Sequence, residues 1–340
     1  MILVTGGTGM LGSHLLLDLI KKGKKVRAIK RKTSKLENVL KIFSYYEKNS
    51  SELFSKIDWF DADVLDMESL VSSMEDIEFI YHTAAMVSFD PRDKYIMINN
   101  NVKGTANVVN ASIEKGIKKL CHVSSISALG HTGDSNEINE ETFRNPKGRY
   151  SGYSISKFRS EMEVWRGITE GLNAVIVNPS IILGPGDWKS GSPSLFTNLS
   201  KGIKFYTRGI TGYVDVLDVV RAMIKLMESE LSNERYIVSS ENLSFEEAFS
   251  KLAVALGTEK PGIHAGSFLL GIAWRFEMLR SMITGKTPLV TKDSAFSAKQ
   301  KNFFSSRKLI EALDFKFMSI DKSIERTASI YNLDQKRIEI

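Results

Sequence analysis

Short apolar runs recur along the first half of the chain, with helical patterns between them. Runs suited to buried strands occupy residues 2–4, 26–29, 57–61, 79–81, 120–124 and 174–178. Residues 9–22, 67–74, 95–115 and 153–169 carry helical spacing; within 101–113, Val102, Ala106, Val109 and Ile113 fall near one face. Strands that alternate with helices predict an α/β fold, a doubly wound parallel sheet covered by helices. Residues 36–56 form a longer connection and predict an added surface helix. Beyond about residue 178 the alternation weakens, and 244–333 read as several amphipathic helices. The expected organisation is therefore a sheet domain over 1–178, to which 205–240 return. Residues 179–204 and 241–340 would form a smaller, mostly helical substrate lobe. No internal repeat or low-complexity linker interrupts this plan.

Composition narrows the class. A chain of 340 residues, 42% hydrophobic and 25% charged, can bury a substantial core. The net charge of +6 is mild, and the cationic stretches 21–25 and 30–35 are short. Without a concentrated basic stripe, nucleic acid is not an expected partner. The single cysteine, Cys121, cannot form an internal disulfide and sits in an apolar run, where it reads as a core thiol. Residues 267–283 are the most apolar late stretch, yet include Arg275, Glu277 and Arg280. No stretch reaches the ~18 uncharged residues of a membrane span. Residues 1–4 run straight into a glycine loop, which leaves no room for a signal peptide and points to the cytoplasm. The histidines (His14, His82, His122, His131 and His264) show no pair at metal-ligand spacing with carboxylate company, so no metal is expected.

The first chemistry lies at the N-terminus. The strand Ile2-Leu3-Val4 enters Thr5-Gly6-Gly7-Thr8-Gly9-Met10-Leu11-Gly12, and a helix follows. In a Rossmann dinucleotide site such glycines make the tight turn, admit the pyrophosphate and bring helix against strand. Free amides at the helix start then hold the anion. The next strand bears on which dinucleotide binds. NAD sites place an acidic residue about twenty positions on, but no Asp or Glu lies between Asp18 and Glu37. Instead the strand ends in Lys30-Arg31-Lys32-Thr33-Ser34-Lys35. Arg31, with Lys35 nearby, suits a 2′-phosphate and can stack on adenine; a solvated lysine-rich loop is the alternative. NADP(H) is favoured over NAD(H). Asp63, followed by Val64, is a candidate acceptor for the adenine amino group. Thr83, Ala84 and Ala85 put small residues where a strand end would pass the cofactor, though small residues there also serve packing.

Tyr153 and Lys157 stand four apart, on one face of a predicted helix. A phenol with a pKa near 10 is a poor base at neutral pH, and a nearby ammonium lowers that pKa. Upstream, Ser124-Ser125-Ile126-Ser127 ends the preceding predicted strand. With these residues the chain resembles the extended short-chain dehydrogenase/reductases, the NAD(P)-dependent epimerase/dehydratase family, over nearly its whole length. The shared positions are Thr5-Gly6-x-x-Gly9-x-x-Gly12, Asp63-Val64, His82-x-Ala84-Ala85, Asn101-Val102-x-Gly104-Thr105, Ser124-Ser125, Tyr153-x-x-x-Lys157 and Asn178-Pro179-Ser180 followed by Gly184-Pro185-Gly186-Asp187. The resemblance implies that Ser125 binds the substrate oxygen and Tyr153 exchanges the proton. It implies that Lys157 holds the nicotinamide ribose and tunes Tyr153, that Pro179 and Ser180 flank the nicotinamide, and that Asn101 braces the cofactor side. Counting back from Gly130 favours Ser125 over Ser124.

Within the family the cationic strand end is similar to dihydroflavonol reductase and 3β-hydroxysteroid dehydrogenase relatives, which implies a carbonyl or secondary-alcohol substrate. The alternative is a nucleotide-sugar epimerase, and a non-catalytic NADP-binding regulator is a third reading. Dehydratases of the family follow the catalytic serine with Asp-Glu, where Ile126-Ser127 stand here; the family's arginine before Tyr213 is replaced by Thr211-Gly212. The first departure counts against dehydration, and the second weakens nucleotide-sugar binding without excluding it. Residues 267–283 are expected to offer one apolar stripe to the substrate and to pack the rest on the Rossmann domain. Trp165, Trp188, Phe268 and Trp274 are candidates for that pocket, with core packing the plainer reading. The resemblance also implies a homodimer through helices 95–115 and 153–169, with Ile96, Val109 and Met162 at the interface; a monomer is the alternative.

Overall fold

Each apolar run of the first half becomes a strand of one sheet. A computed structural model describes residues 1–130, 137–285, 288 and 290–338, so His131 lies outside the described residues. The chain runs β1 (Ile2–Thr5), α1 (Met10–Lys21), β2 (Val26–Lys30), α2 (Glu37–Tyr46), α3 (Ser50–Ser55), β3 (Asp58–Asp61), α4 (Met67–Ser73), β4 (Phe79–His82), α5 (Lys94–Glu114), β5 (Lys119–Val123), β6 (Glu137–Ile138), α6 (Gly152–Thr169) and β7 (Ala174–Pro179). It continues through β8 (Ile181–Leu183), α7 (Ser194–Ser200), β9 (Phe205–Tyr206), β10 (Ile210–Asp215), α8 (Val216–Glu228), β11 (Glu234–Val238), β12 (Glu241–Ser244), α9 (Phe245–Leu256), β13 (Ile263–His264), α10 (Ser267–Thr284), α11 (Lys292–Ser297), β14 (Phe303–Phe304), α12 (Arg307–Leu313) and α13 (Ile320–Ile338).

The seven-stranded sheet has the order β11-β7-β5-β4-β1-β2-β3, every pairing parallel. Successive residues of a strand face opposite sides, so Leu3 packs into one core layer and Val4 into the other. The central strands β5 and β7 are buried on both faces, as a sheet covered by helices requires. Two differences from the sequence expectation stand out. Residues 36–56 hold two helices, α2 and α3, where one was expected. The stretch 205–240 also supplies a strand that its pattern did not announce, β11, whose polar start, Glu234-Arg235, hides the buried Tyr236-Ile237-Val238 behind it.

The remaining strands form small sheets, β12-β10-β8, β13-β9 and β14-β6. Trp188, Phe196, Leu252, Ile324 and Tyr331 build a separate core among α7, α9 and α13. Trp188 is therefore structural, its indole N–H donating to Asp334 at 2.8 Å. Asp215 caps α8 through the Leu217 N–H at 2.8 Å and holds Arg326 of α13 at 2.5 Å. That ion pair, its carboxylate fully buried, ties α13 to the start of α8.

Two surface expectations change. Val109 is fully buried under α6, where a Cβ on Gly167 would collide with it, so it cannot serve an interface; Tyr95, Ile96 and Met162 do face outward. The stretch 267–283 becomes α10, but its broad apolar face does not pack on the Rossmann domain. Only Leu270 and Trp274 are held, in a small cluster with Ala265, Val290 and Ala295, while Phe268, Leu269, Ile272, Phe276, Met278, Leu279 and Met282 face outward. Among the described residues no helix is long and apolar enough to cross a membrane.

Candidate active site

The glycine turn between β1 and α1 is shaped by backbone contacts that no side chain would tolerate. Gly6 has φ +72°, and a Cβ on it would lie 2.6 Å from the Ala84 nitrogen. A Cβ on Gly12 would collide with the Gly6 carbonyl. Ser13 donates to the carbonyls of Gly7 (3.0 Å) and Gly9 (2.8 Å), which pins the turn to the helix. Gly9 starts α1 with no side-chain cap, leaving the first amides open to an anion. Thr5 is buried and its hydroxyl accepts from the Ala84 N–H at 3.3 Å, while Thr83 donates to the Thr5 carbonyl at 2.7 Å. The loop Thr83-Ala84-Ala85 therefore lies against the turn. Leu11 points into the core; Thr8, Gly9 and Met10 are at least partly exposed. This cradle, which a Cβ would fill, fits a dinucleotide pyrophosphate.

At the end of β2 the cations divide into two groups. Arg27 pairs with Asp58 at 2.7 Å and Lys30 pairs with Asp61. Arg31 and Lys35 are exposed, and among the described residues the Arg31 guanidinium has no partner. At the end of β3, Asp63 accepts from the Leu65 N–H at 3.0 Å, and Val64 fills the space that Gly104 leaves on α5. These three strand ends, β1, β2 and β3, line one edge of the sheet in order.

On the other side of β1, Ser125, Tyr153 and Lys157 come together at the C-terminal end of β5. Ser125 starts a 3-10 turn over Ile126–Ala128, its hydroxyl accepting from the Ser127 N–H at 3.1 Å. Tyr153 lies in the first turn of α6, which Ser151 caps. Burial holds the Tyr153 phenol above its ordinary pKa, and a hydrogen bond with the Ser125 hydroxyl works against that rise. Lys157 is buried and donates to the Val123 carbonyl at 2.9 Å; burial lowers its pKa to about 8, opposed by the charge of Glu161. Phe89 covers the phenol, with ring centres 5.6 Å apart. Pro179 ends β7 beside Val238, and Ser180 is buried just beyond it. Asn101 is fully engaged: it accepts from the Met86 N–H at 2.7 Å and donates to the Met86 carbonyl and to Ser156, each at 2.8 Å. It ties the loop after β4 to α6.

Two groups behind this cluster escape a motif reading. Glu161, fully buried, accepts from Ser124 at 2.6 Å, Asn178 at 2.8 Å, Arg235 at 2.9 Å and Trp165 at 3.3 Å. Asn178 also donates to the Ser125 carbonyl at 3.0 Å, so the network reaches Ser125. The available signal was an acid one helical turn beyond Lys157, on the face that must be buried. His82 and His122 stack beneath the site, 5.2 Å apart. His82 bonds Thr5 at 2.7 Å and Thr105 at 3.1 Å, whereas neither ring nitrogen of His122 has a partner among the described residues.

Those histidines set an acid limit. Burial lowers His14 to about 4 and His82, further disfavoured by Lys157, to about 3; burial beside His82 and Lys157 drives His122 down as well. The fold holds the neutral rings, so their contribution is complete above about 6.5, the unfolded value, and is lost as pH falls below it. Each histidine is expected to remove about 1.4 kcal/mol per pH unit until its folded pKa is reached. Urea midpoints at pH 7 and pH 5 measure the loss, and His122→Leu should flatten the slope by one histidine's share. Equal midpoints at the two pH values would refute the assignment.

A groove of about 780 Å³ lined by Met1, Lys24, Phe79, Lys118 and Glu230 opens at the N-terminal ends of the strands. Ligands of open α/β sheets bind at the carboxyl ends, where Tyr153 lies, so that groove is a separate feature. Among the described residues no three His, Cys, Asp or Glu side chains converge on a common point. Burial pushes the Cys121 thiol up to about 12, consistent with an inert core position.

Comparison with known proteins adds four likenesses. Residues 2–239 match the model of the NAD dependent epimerase/dehydratase family. A Synechocystis sp. protein, provisionally named a dihydroflavonol 4-reductase, is 27% identical over 329 residues, covering 94% of this chain and 91% of that one. The crystal structure of gox2253 superposes with a TM-score of 0.82 at 26% identity over 98% of both chains. The UDP-glucose 4-epimerase of Thermotoga maritima superposes at 0.77, covering 98% of this chain and 99% of that one; at 22% identity it speaks for the fold alone.

Proposed function

The chain belongs to the NAD dependent epimerase/dehydratase family, and from that membership we propose that it is a cytoplasmic NADP(H)-dependent carbonyl reductase. The observation that carries this reading is the meeting of Ser125, Tyr153 and Lys157 at the carboxyl end of β5. In this reading Thr5, Gly6, Gly7, Thr8, Gly9, Met10, Leu11 and Gly12 hold the pyrophosphate. Arg31 and Lys35 take the 2′-phosphate, Asp63 and Val64 the adenine, and Thr83, Ala84, Ala85, Pro179 and Ser180 the remainder, with Asn101 bracing them. When bound, the cofactor supplies the hydride. Ser125 hydrogen-bonds the carbonyl oxygen, and Tyr153 gives its proton to that oxygen as the carbonyl carbon is reduced. Lys157 is mostly protonated at neutral pH, and its charge stabilises the phenolate left behind.

Residues 1–178 with 205–240 are the cofactor side of this assignment, and 179–204 with 241–340 the substrate side. The exposed Tyr95, Ile96 and Met162 on α5 and α6 support a homodimer through those helices. Epimerisation of nucleotide sugars is the second reading, favoured by the epimerase-like fold. Against it, Thr211-Gly212 replace the expected arginine. Of the three arginines that could serve a diphosphate, Arg275 is turned onto Trp274 and the Gly271 carbonyl and Arg280 onto Glu277, while Arg208 is exposed; two converging on the cleft would favour the second reading. A silent regulator would not need Ser125, Tyr153 and Lys157 gathered at one strand end.

The deciding assay follows NADPH oxidation against apolar and aromatic aldehydes, ketones and steroid-like ketones, beside an epimerase assay with nucleotide sugars. Epimerisation together with silence on every carbonyl would overturn the proposal. Cofactor choice has its own test. Arg31→Ala should weaken NADPH more than NADH by roughly 1–3 kcal/mol, the value of a charge-assisted hydrogen bond. Fluorescence titration of both cofactors reads this, and equal losses would remove Arg31 from the 2′-phosphate.

A further inference from the structure

Helix α10 is inverted relative to an ordinary surface helix. Phe268, Ile272, Phe276, Leu279 and Ile283 recur at i, i+4, i+8, i+11 and i+15, so they form one stripe. That stripe faces outward: Phe268 is 82% and Ile283 77% exposed, and Met282 beside them 75%. It extends for about 22 Å of helix axis. The side turned inward carries Leu270, Trp274 and Ser281. The β9–β13 ribbon that precedes α10 adds two more exposed apolar side chains, the register partners Phe205 and Ile263. An uncovered apolar area of this kind marks an interaction surface.

The charge around it indicates the partner. Residues 260–301 contain seven Lys and Arg against Glu277 and Asp293, which is five of the chain's six net positive charges. Among the described residues Lys201, Lys204, Lys260, Lys292, Lys299 and Lys301 are exposed and form no ion pair. Lysines elsewhere are commonly paired, as Lys21 is with Glu47, Lys24 with Glu228 and Lys41 with Asp334. A second copy placed on this face would set like charges against each other. The stripe is also the convex side of one helix and not a groove, so it has no pocket to select a peptide.

We propose that α10 and the β9–β13 ribbon dock on an anionic lipid surface, the apolar stripe entering the boundary between headgroups and acyl chains and the lysines meeting lipid phosphates. Amphipathic helices that lie in the interface plane combine these two features. One end of the helix abuts the catalytic loop: Arg92 donates to the Gly285 carbonyl at 3.3 Å, and Phe89, three residues earlier, covers Tyr153. Docking would thus place the mouth of the site beside the membrane, on the same side as an apolar substrate.

The test is co-sedimentation of the full chain with vesicles of phosphatidylcholine alone or mixed with phosphatidylglycerol. Binding is expected only to the mixed vesicles and should weaken with salt. Ile272→Glu with Phe276→Glu, and separately Lys201→Glu with Lys204→Glu, should each lower vesicle affinity by at least about tenfold. Both double variants should keep wild-type NADPH affinity and circular dichroism, which excludes misfolding as the cause. Failure to sediment, or equal binding to neutral vesicles, overturns the proposal. So does a wild-type mass in light scattering that falls in the Ile272→Glu, Phe276→Glu variant, because a second copy would then cover the stripe. None of these outcomes depends on the reaction assigned to Tyr153.

Discussion

Tyr153→Phe is expected to lower turnover by roughly 10²–10⁴-fold, the usual contribution of a positioned acid/base group. The substitution removes one oxygen and little else. The ring that packs against Phe89 stays, as do Lys157 with its Val123 contact and the whole glycine turn. NADPH affinity should therefore be unchanged within error. Stability should change by no more than about 1 kcal/mol, the net value of the hydrogen bond with Ser125 that is lost. Turnover of any carbonyl reduced by the wild type, measured under saturating NADPH, reads the effect. A loss smaller than about tenfold would mean that the proton comes from elsewhere, since the barrier would have risen by under about 1.4 kcal/mol. A parallel loss of NADPH affinity would point instead to a structural role for the hydroxyl.

How much of this was legible in the sequence depended on whether the signal was local. The strands of the Rossmann half are short apolar runs, and β1, β2, β4, β5 and β7 extend only a residue or so beyond the runs that announce them. The glycine turn is local at Gly12, which answers to the Gly6 and Gly7 backbone, whereas the space at Gly6 is closed by Thr83 and Ala84 at the end of β4. By contrast, β11 begins with two charged residues, and Arg235 is polar because it reaches Glu161, 74 positions away. Val109 reads as an available apolar side chain until α6 covers it. The stripe on α10 has a clear helical period, but periodicity gives no information about which face meets protein. Only the fold shows that Leu270 and Trp274 take that role and that Phe276 does not.

The same long-range logic makes Glu161 the most sensitive position outside Ser125, Tyr153 and Lys157. Its carboxylate is fully buried and gathers four donors from β7, β11, α6 and the end of β5. Glu161→Ala would leave the Arg235 guanidinium, only 17% exposed, without its counter-charge and strand Ser124 and Asn178. Breaking a buried pair from one side typically costs 3–5 kcal/mol, so a loss of about that size is expected in urea denaturation. Glu161→Gln preserves the shape but turns an amide donor toward other donors, and about 1–3 kcal/mol should be lost. Removing both charges, as Glu161→Leu with Arg235→Met, should recover part of the alanine loss, because the desolvation of an unpaired cation disappears. A catalytic signature should accompany the glutamine variant. Glu161 raises the pKa of Lys157, so without its charge that pKa should fall further below about 8 and the pH profile of turnover should shift to lower pH. If Glu161→Ala cost under about 1 kcal/mol, the network would be a surface-like pair of little value, and the placement of Ser125 would have to rest on the β5 turn alone.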